Sequence, residues 1–73
     1  MKKRMLEYKG MLYTEEDLFE KLEDDEIIES SVLVNYYYNG NFIGNDNGFS
    51  TKEMLDEIIE SGNLSISEVK TND

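Results

Sequence analysis

The chain has 73 residues, carries 17 acidic against 7 basic side chains for a formal net charge of -10, and contains no cysteine, histidine or proline. The missing Cys and His exclude disulfide frameworks, zinc sites built from those ligands, thiol nucleophiles and histidine general bases, while the negative charge disfavours nucleic acid and anionic membrane as direct ligands. A single domain of this size (residues 1–73) removes only about 60% of its unfolded surface from water, so a homodimer or a tight partner would supply burial that the monomer lacks.

The opening MKKRML has the charge of a signal-peptide start, but Glu7 and polar residues follow in place of an apolar core region, and no stretch approaches the ~20 apolar residues that span a bilayer. The expected location is the cytoplasm. Lys2, Lys3 and Arg4 form the only basic cluster and are expected to be a soluble tail, residues 1–4, or an internal partner for the acidic helix, rather than a binding site.

Met5 to Thr14 (MLEYKGMLYT) alternates around Lys9-Gly10, which predicts a short β-hairpin with Leu6, Tyr8, Met11 and Tyr13 on one face. Thr14 then serves as an N-cap, with Glu15, Glu16 and Asp17 in the first turn and Leu18, Phe19 and Leu22 at helical spacing. These predict a helix from about Glu15 to Asp25, with Ile27 and Ile28 continuing the core past its end.

A second hairpin follows: SVLVNYYY, the turn pair Asn39-Gly40, then NFIG. Asn-Gly favours a two-residue type I′ turn, which places Tyr38 opposite Asn41, Tyr37 opposite Phe42 and Tyr36 opposite Ile43. Val32, Val34, Tyr36 and Ile43 form the expected core face. Tyr37 and Phe42 lie on the other, as interface anchors or beneath a second layer.

After the loop NDNG, Ser50 and Glu53 make a capping box, Met54, Leu55, Ile58 and Ile59 form an apolar stripe, and Gly62 provides a C-cap. LSISEV gives a short last strand with Leu64 and Ile66 alternating, and Lys70 to Asp73 are expected to fray. The order ββαββαβ predicts a small α+β domain, a mainly antiparallel sheet with two amphipathic helices on one face. Both halves follow one scheme of hairpin, hydroxyl cap and helix, which an ancient duplication or two ordinary hairpin-helix units would equally produce.

No constellation carries catalytic chemistry. The turn NGNFIGNDNG has calcium-loop residues, but counting back from Gly48 puts Ile43 at the first ligand position, and counting from Gly44 puts it at the fifth. Turn formation explains its Asn, Asp and Gly content better. Carboxylates are abundant where catalysis would need a few with contrasting environments in a concave site. The expectation is a protein that is not an enzyme and that uses neither cofactor nor metal.

The charge itself is the informative feature. Between Glu15 and Glu29 nine carboxylates face one lysine, Lys21. Glu15, Glu16 and Asp17 sit where the helix dipole favours acids, whereas Asp24, Asp25 and Glu26 sit where it opposes them. Glu16/Glu20 and Glu20/Asp24 are like-charged i,i+4 pairs, while Lys21 can offset some repulsion through Asp17 and Asp25. A second stripe, Glu53, Asp56, Glu57 and Glu60, opposes the apolar face of the later helix.

Spaced carboxylates can stand in for phosphates, because arginine grips both through bidentate hydrogen bonds. The expectation is therefore an inhibitor that occupies the positively charged nucleic-acid site of a host protein, such as a nuclease or its complex. Its partner-binding residues would be Glu20, Glu23, Asp24, Asp25, Glu26, Glu29, Tyr37 and Phe42. Small size, high acidity and the Asn-, Ile-, Tyr-, Lys- and Glu-rich composition of an AT-rich genome resemble the general type of phage or mobile-element anti-defence proteins, anti-CRISPR and anti-restriction proteins included. That resemblance covers composition and charge layout and assigns no residue a role. Two other functions fit the same residues: an immunity or antitoxin protein that neutralises a basic toxin, and a small structural or regulatory subunit that binds through its sheet face.

Overall fold

The computed structural model describes residues 4–31 and 34–69. Its elements in chain order are β1 (Met5–Tyr8), β2 (Met11–Tyr13), α1 (Glu15–Asp24), β3 (Ile28–Ser30), β4 (Asn35–Tyr38), β5 (Asn41–Asn45), α2 (Thr51–Ser61) and β6 (Ile66–Val69). The α+β class and both amphipathic helices are as the sequence predicts. The strands divide into two antiparallel three-stranded sheets, ordered β2-β1-β6 and β3-β4-β5.

Turn and cap chemistry fixes most boundaries. Lys9 and Gly10 have φ of 52° and 80°, and Asn39 and Gly40 have 54° and 79°, the paired positive values of type I′ hairpin turns. Thr14 Oγ1 accepts from the Asp17 N–H at the start of α1. Ser50 and Glu53 form the reciprocal capping box at α2, and Gly62 closes that helix in the left-handed conformation.

Four expectations need correction. Ile28–Ser30 is a strand of its own, because Ser31 and Asn35 close a turn before β4. Ser31 N–H donates to the Asn35 carbonyl at 2.8 Å, and Val34 N–H to the Ser31 carbonyl at 3.0 Å. Val34 in that turn has φ 53° and is 42% exposed, so it leaves the expected core face; Val32 of that face lies outside the described residues. Met11, at the turn end of the edge strand β2, is also exposed rather than packed with Leu6 and Tyr8.

The fourth correction is in the second hairpin. Tyr38 pairs with Asn41 and Tyr37 with Phe42 as predicted, but Tyr36 pairs with Gly44, so Ile43 is the extra residue of a β-bulge. Ile43 is buried in the core as expected, and the bulge brings Gly44 opposite Tyr36 in its place. Gly44 packs closely against Met54 of α2 and Phe49 before it: a Cβ there would lie 2.7 Å from Met54 Cγ and 2.8 Å from Phe49 Cγ.

One core cluster holds the domain together: Leu6, Tyr8, Leu18, Phe19, Leu22, Ile28, Ile43, Met54, Leu55 and Ile58. Helix α1 packs on β1, β2 and β3, and so on both sheets, while α2 packs on α1 and β5. Full burial of each aliphatic side chain contributes about 1.5–3 kcal/mol, which makes the Leu18, Leu22, Leu55 and Ile58 stripes the main reason the helices dock.

The repeat seen in the sequence extends to strand pairing. Each half runs hairpin, helix, strand, and each half's third strand pairs with the other half's hairpin: β3 with β4, and β6 with β1. The registers correspond, since Tyr8 before the first turn faces Ile66 and Tyr38 before the second faces Ile28.

Arg4 is an internal partner rather than a tail residue. Its guanidinium donates to the Glu15 carboxylate, to Asp56 Oδ1 at 2.8 Å and to Glu68 Oε2 at 3.3 Å, tying β1 to α1, α2 and β6. Lys2, Lys3 and Lys70 to Asp73 lie outside the described residues. Among the described residues, no helix is long and apolar enough to cross a membrane.

Candidate partner-binding surface

Burial of Leu18, Phe19 and Leu22 fixes the rotation of α1 and turns its acids outward. Glu16, Asp17, Glu20 and Asp24 are exposed, and Glu23 is half-buried beside them. Burial, reinforced by Asp24, Asp46 and Glu20, pushes the Glu23 carboxyl above the usual carboxylate range. Asp46 reaches this group from the loop after β5, where its Oδ1 accepts a 3.0 Å hydrogen bond from the Tyr36 hydroxyl. Burial first, then that bond, raises the Tyr36 hydroxyl's pKa.

Some acids already have partners. Lys21 Nζ lies 3.2 Å from Asp25 Oδ1, and this bond holds the lysine's pKa above its ordinary value. Glu15 and Asp56 are held by Arg4, and Asp56 is also held by Lys52, whose hydrogen bond is the main reason its pKa is lowered. Glu53 is occupied by the α2 capping box, where the Ser50 N–H holds its carboxyl below the usual range. Glu20, Glu23, Asp24, Glu26, Glu29, Glu57 and Glu60 have no cation within salt-bridge distance among the described residues.

The end of α1 is built at a cost. Ile27 N–H donates to the Leu22 carbonyl at 2.9 Å and Glu26 N–H to the Glu23 carbonyl at 3.0 Å, the two bonds of a Schellman motif. That motif needs a left-handed residue, and here it is Glu26 with φ 63°. At the matching position of α2 the chain uses Gly62, with φ 75° and the corresponding bond to the Ile59 carbonyl. Glutamate therefore occupies a position suited to glycine, beside Asp24 and Asp25 at the negative end of the helix dipole.

The predicted site residues fall into two groups. Glu20, Glu23, Asp24, Asp25 and Glu26 cluster along the outer face and C-terminal end of α1. Glu29 belongs to the second group, because it pairs with Tyr37, which pairs with Phe42, placing all three in one row across β3, β4 and β5. The buried residues Ile28 and Ile43 point to the core, so this row lies on the outer face, and Phe42 is 50% exposed.

Sequence reasoning missed two residues here. Phe49 is 40% exposed and stands edge-to-face with Phe42 at 5.7 Å, extending the Tyr37–Phe42 contact at 5.9 Å into a ladder of three rings. Its signal was its place immediately before the N-cap Ser50, where an apolar residue staples a helix start. Asp46 was absorbed into the turn, which Asn45 Oδ1 does organise by accepting from Asn47 and Gly48 N–H groups, both at 3.0 Å. Nothing local in the sequence shows that Asp46 faces Glu23.

Against protein-family models, curated proteins and solved structures, the chain finds no match.

Proposed function

We propose that the protein is an acidic, non-enzymatic inhibitor that occupies a positively charged nucleic-acid site on a basic protein, with the carboxylates at the end of α1 in place of phosphates. The supporting observation is Glu26 in a left-handed position where the sister helix has Gly62. Glu23, with its raised pKa among Asp24, Asp46 and Glu20, supports the same idea: these acids strain the fold that carries them. Selection for solubility alone would leave such charges at less costly places. Glu20, Glu23, Asp24 and Glu26 are the main contacts, with Asp25 partly engaged by Lys21 and Glu29 at the margin with the sheet.

The composition fits a phage or mobile-element protein acting in the host cytoplasm against a nuclease or its complex. Capture from lysate of such a host, at low and then high salt, followed by competition with duplex DNA and with RNA, tests the proposal. A nucleic-acid-binding protein released by salt and by nucleic acid is expected, and the Glu20→Lys, Glu23→Lys, Asp24→Lys triple variant should not retain it. Retention by a folded triple variant, or a partner that nucleic acid does not displace, would overturn it.

A further inference from the structure

The outer face of β3-β4-β5 carries a row, Glu29–Tyr37–Phe42, continued by Phe49. The fold itself provides a control for what this row needs. At the corresponding place in the other sheet, Glu7 stands where Tyr37 stands, paired to Leu12 on one side and Ser67 on the other. A sheet of this architecture thus forms with a carboxylate at the centre of its outer row. The edge-to-face rings of Tyr37 and Phe42 on the second sheet are an addition that strand pairing does not require.

Phe49 and the buried Ile43 also line a shallow groove against α2 together with Glu53, Asp56, Glu57 and Glu60, of which Asp56 is already held by Arg4 and Lys52 and Glu53 by the capping box. Glu57 and Glu60 are exposed and have no hydrogen-bonding or ion-pair partner among the described residues. Aromatic faces bordered by carboxylates are complementary to a guanidinium, which stacks through its plane and donates at its edge. A second copy of this chain is a poor occupant, since it would bring the same -10 charge to the contact.

We propose that the Tyr37–Phe42–Phe49 ladder and the α2 groove form a docking surface for a basic polypeptide segment, with an arginine stacked on Phe49 or Phe42 and paired with Glu57 or Glu60. This surface is distinct from the α1 end and stands whether or not α1 replaces a nucleic acid. It recognises arginine by shape as well as charge, whereas a purely electrostatic surface would accept lysine equally.

The test uses two fluorescent nonapeptides of equal charge, one arginine-rich and one lysine-rich, titrated by anisotropy against the full chain, with amide shifts mapped by NMR. The arginine peptide should bind about fivefold tighter than the lysine peptide, as stacking on an exposed ring would give. Phe42→Ala with Phe49→Ala should erase that preference. Glu57→Gln with Glu60→Gln, a change that leaves the core untouched, should weaken both peptides. The Glu20→Lys, Glu23→Lys, Asp24→Lys variant should keep the preference even where it weakens overall affinity. Equal binding of the two peptides, a preference that survives loss of both rings, or shifts confined to α1 would overturn the proposal. The shift map on the unsubstituted chain decides the matter even if the ring variant fails to fold.

Discussion

Replacing Glu26 by glycine should make the protein more stable. The residue sits at φ 63° with its N–H bonded to the Glu23 carbonyl, a geometry that an L-residue adopts at a cost of about 1–2 kcal/mol. Glycine removes that cost but adds freedom to the unfolded chain, which takes back about 0.4–1 kcal/mol. Loss of a negative charge beside Asp24 and Asp25 adds further stabilisation of the same sign. The net gain is about 1 kcal/mol, which for a domain of this size raises Tm by about 4–8 °C. Thermal unfolding followed by circular dichroism at low salt measures it. The internal control is Gly62→Glu, which imposes the same geometry and charge on α2 and should lower Tm. An unchanged or lower Tm for Glu26→Gly would refute the claim that this glutamate is held against the preference of the fold, and with it the main support for a functional α1 end.

Three further outcomes follow from the packing and the charges. Gly44→Ala should destabilise by about 2 kcal/mol in urea titration, because the new Cβ would meet the Phe49 ring and the Met54 side chain, and overpacking of this kind costs about 1–3 kcal/mol. Gly48→Ala, whose nearest neighbour would be Asn45 Oδ1 at 3.9 Å, should be close to neutral. Glu23→Gln should stabilise at neutral pH. The folded-state pKa of Glu23 is raised, so the native state binds the extra proton, and stability present below the ordinary carboxylate pKa of about 4.3 is lost as pH rises through the folded value. The difference in Tm between variant and parent should therefore shrink toward zero below about pH 4; an equal difference at both pH values would show that burial of the charge is not its cause.

What was legible in the sequence was local chemistry. Asn39-Gly40, Ser50 with Glu53, Gly62 and the apolar stripes of both helices each act over a few residues, and each formed what its spacing predicts. The β3 strand was hidden because Ile28–Ser30 is too short to show alternation, and because the turn that releases it depends on Ser31 meeting Asn35. The bulge at Ile43 was hidden for another reason: it lies beside Gly44, whose packing against Met54 and Phe49 no spacing within β5 shows. The same division holds for the surface. The acids of α1 are visible in the sequence and their outward direction follows from Leu18, Phe19 and Leu22, but the junction of Phe42 with Phe49 and of Glu23 with Asp46 exists only once β5 and α2 are folded. Arg4 was open to both readings as tail or internal partner, and three carboxylates from three elements decided it.

The exchange of third strands has a consequence for how the chain reaches this state. The β3-β4-β5 sheet is made of consecutive strands and closes only short loops, whereas β1 waits for β6 from the far end of the chain. Closure entropy rises with loop length and non-local pairing slows folding, so the two sheets are unequal in time although alike in design. The physical expectation is that the aromatic sheet assembles early and that pairing of Met5 with Val69 is a late step that makes the whole domain cooperative. A nascent chain would thus present the Tyr37–Phe42 face before the rest of the domain has closed.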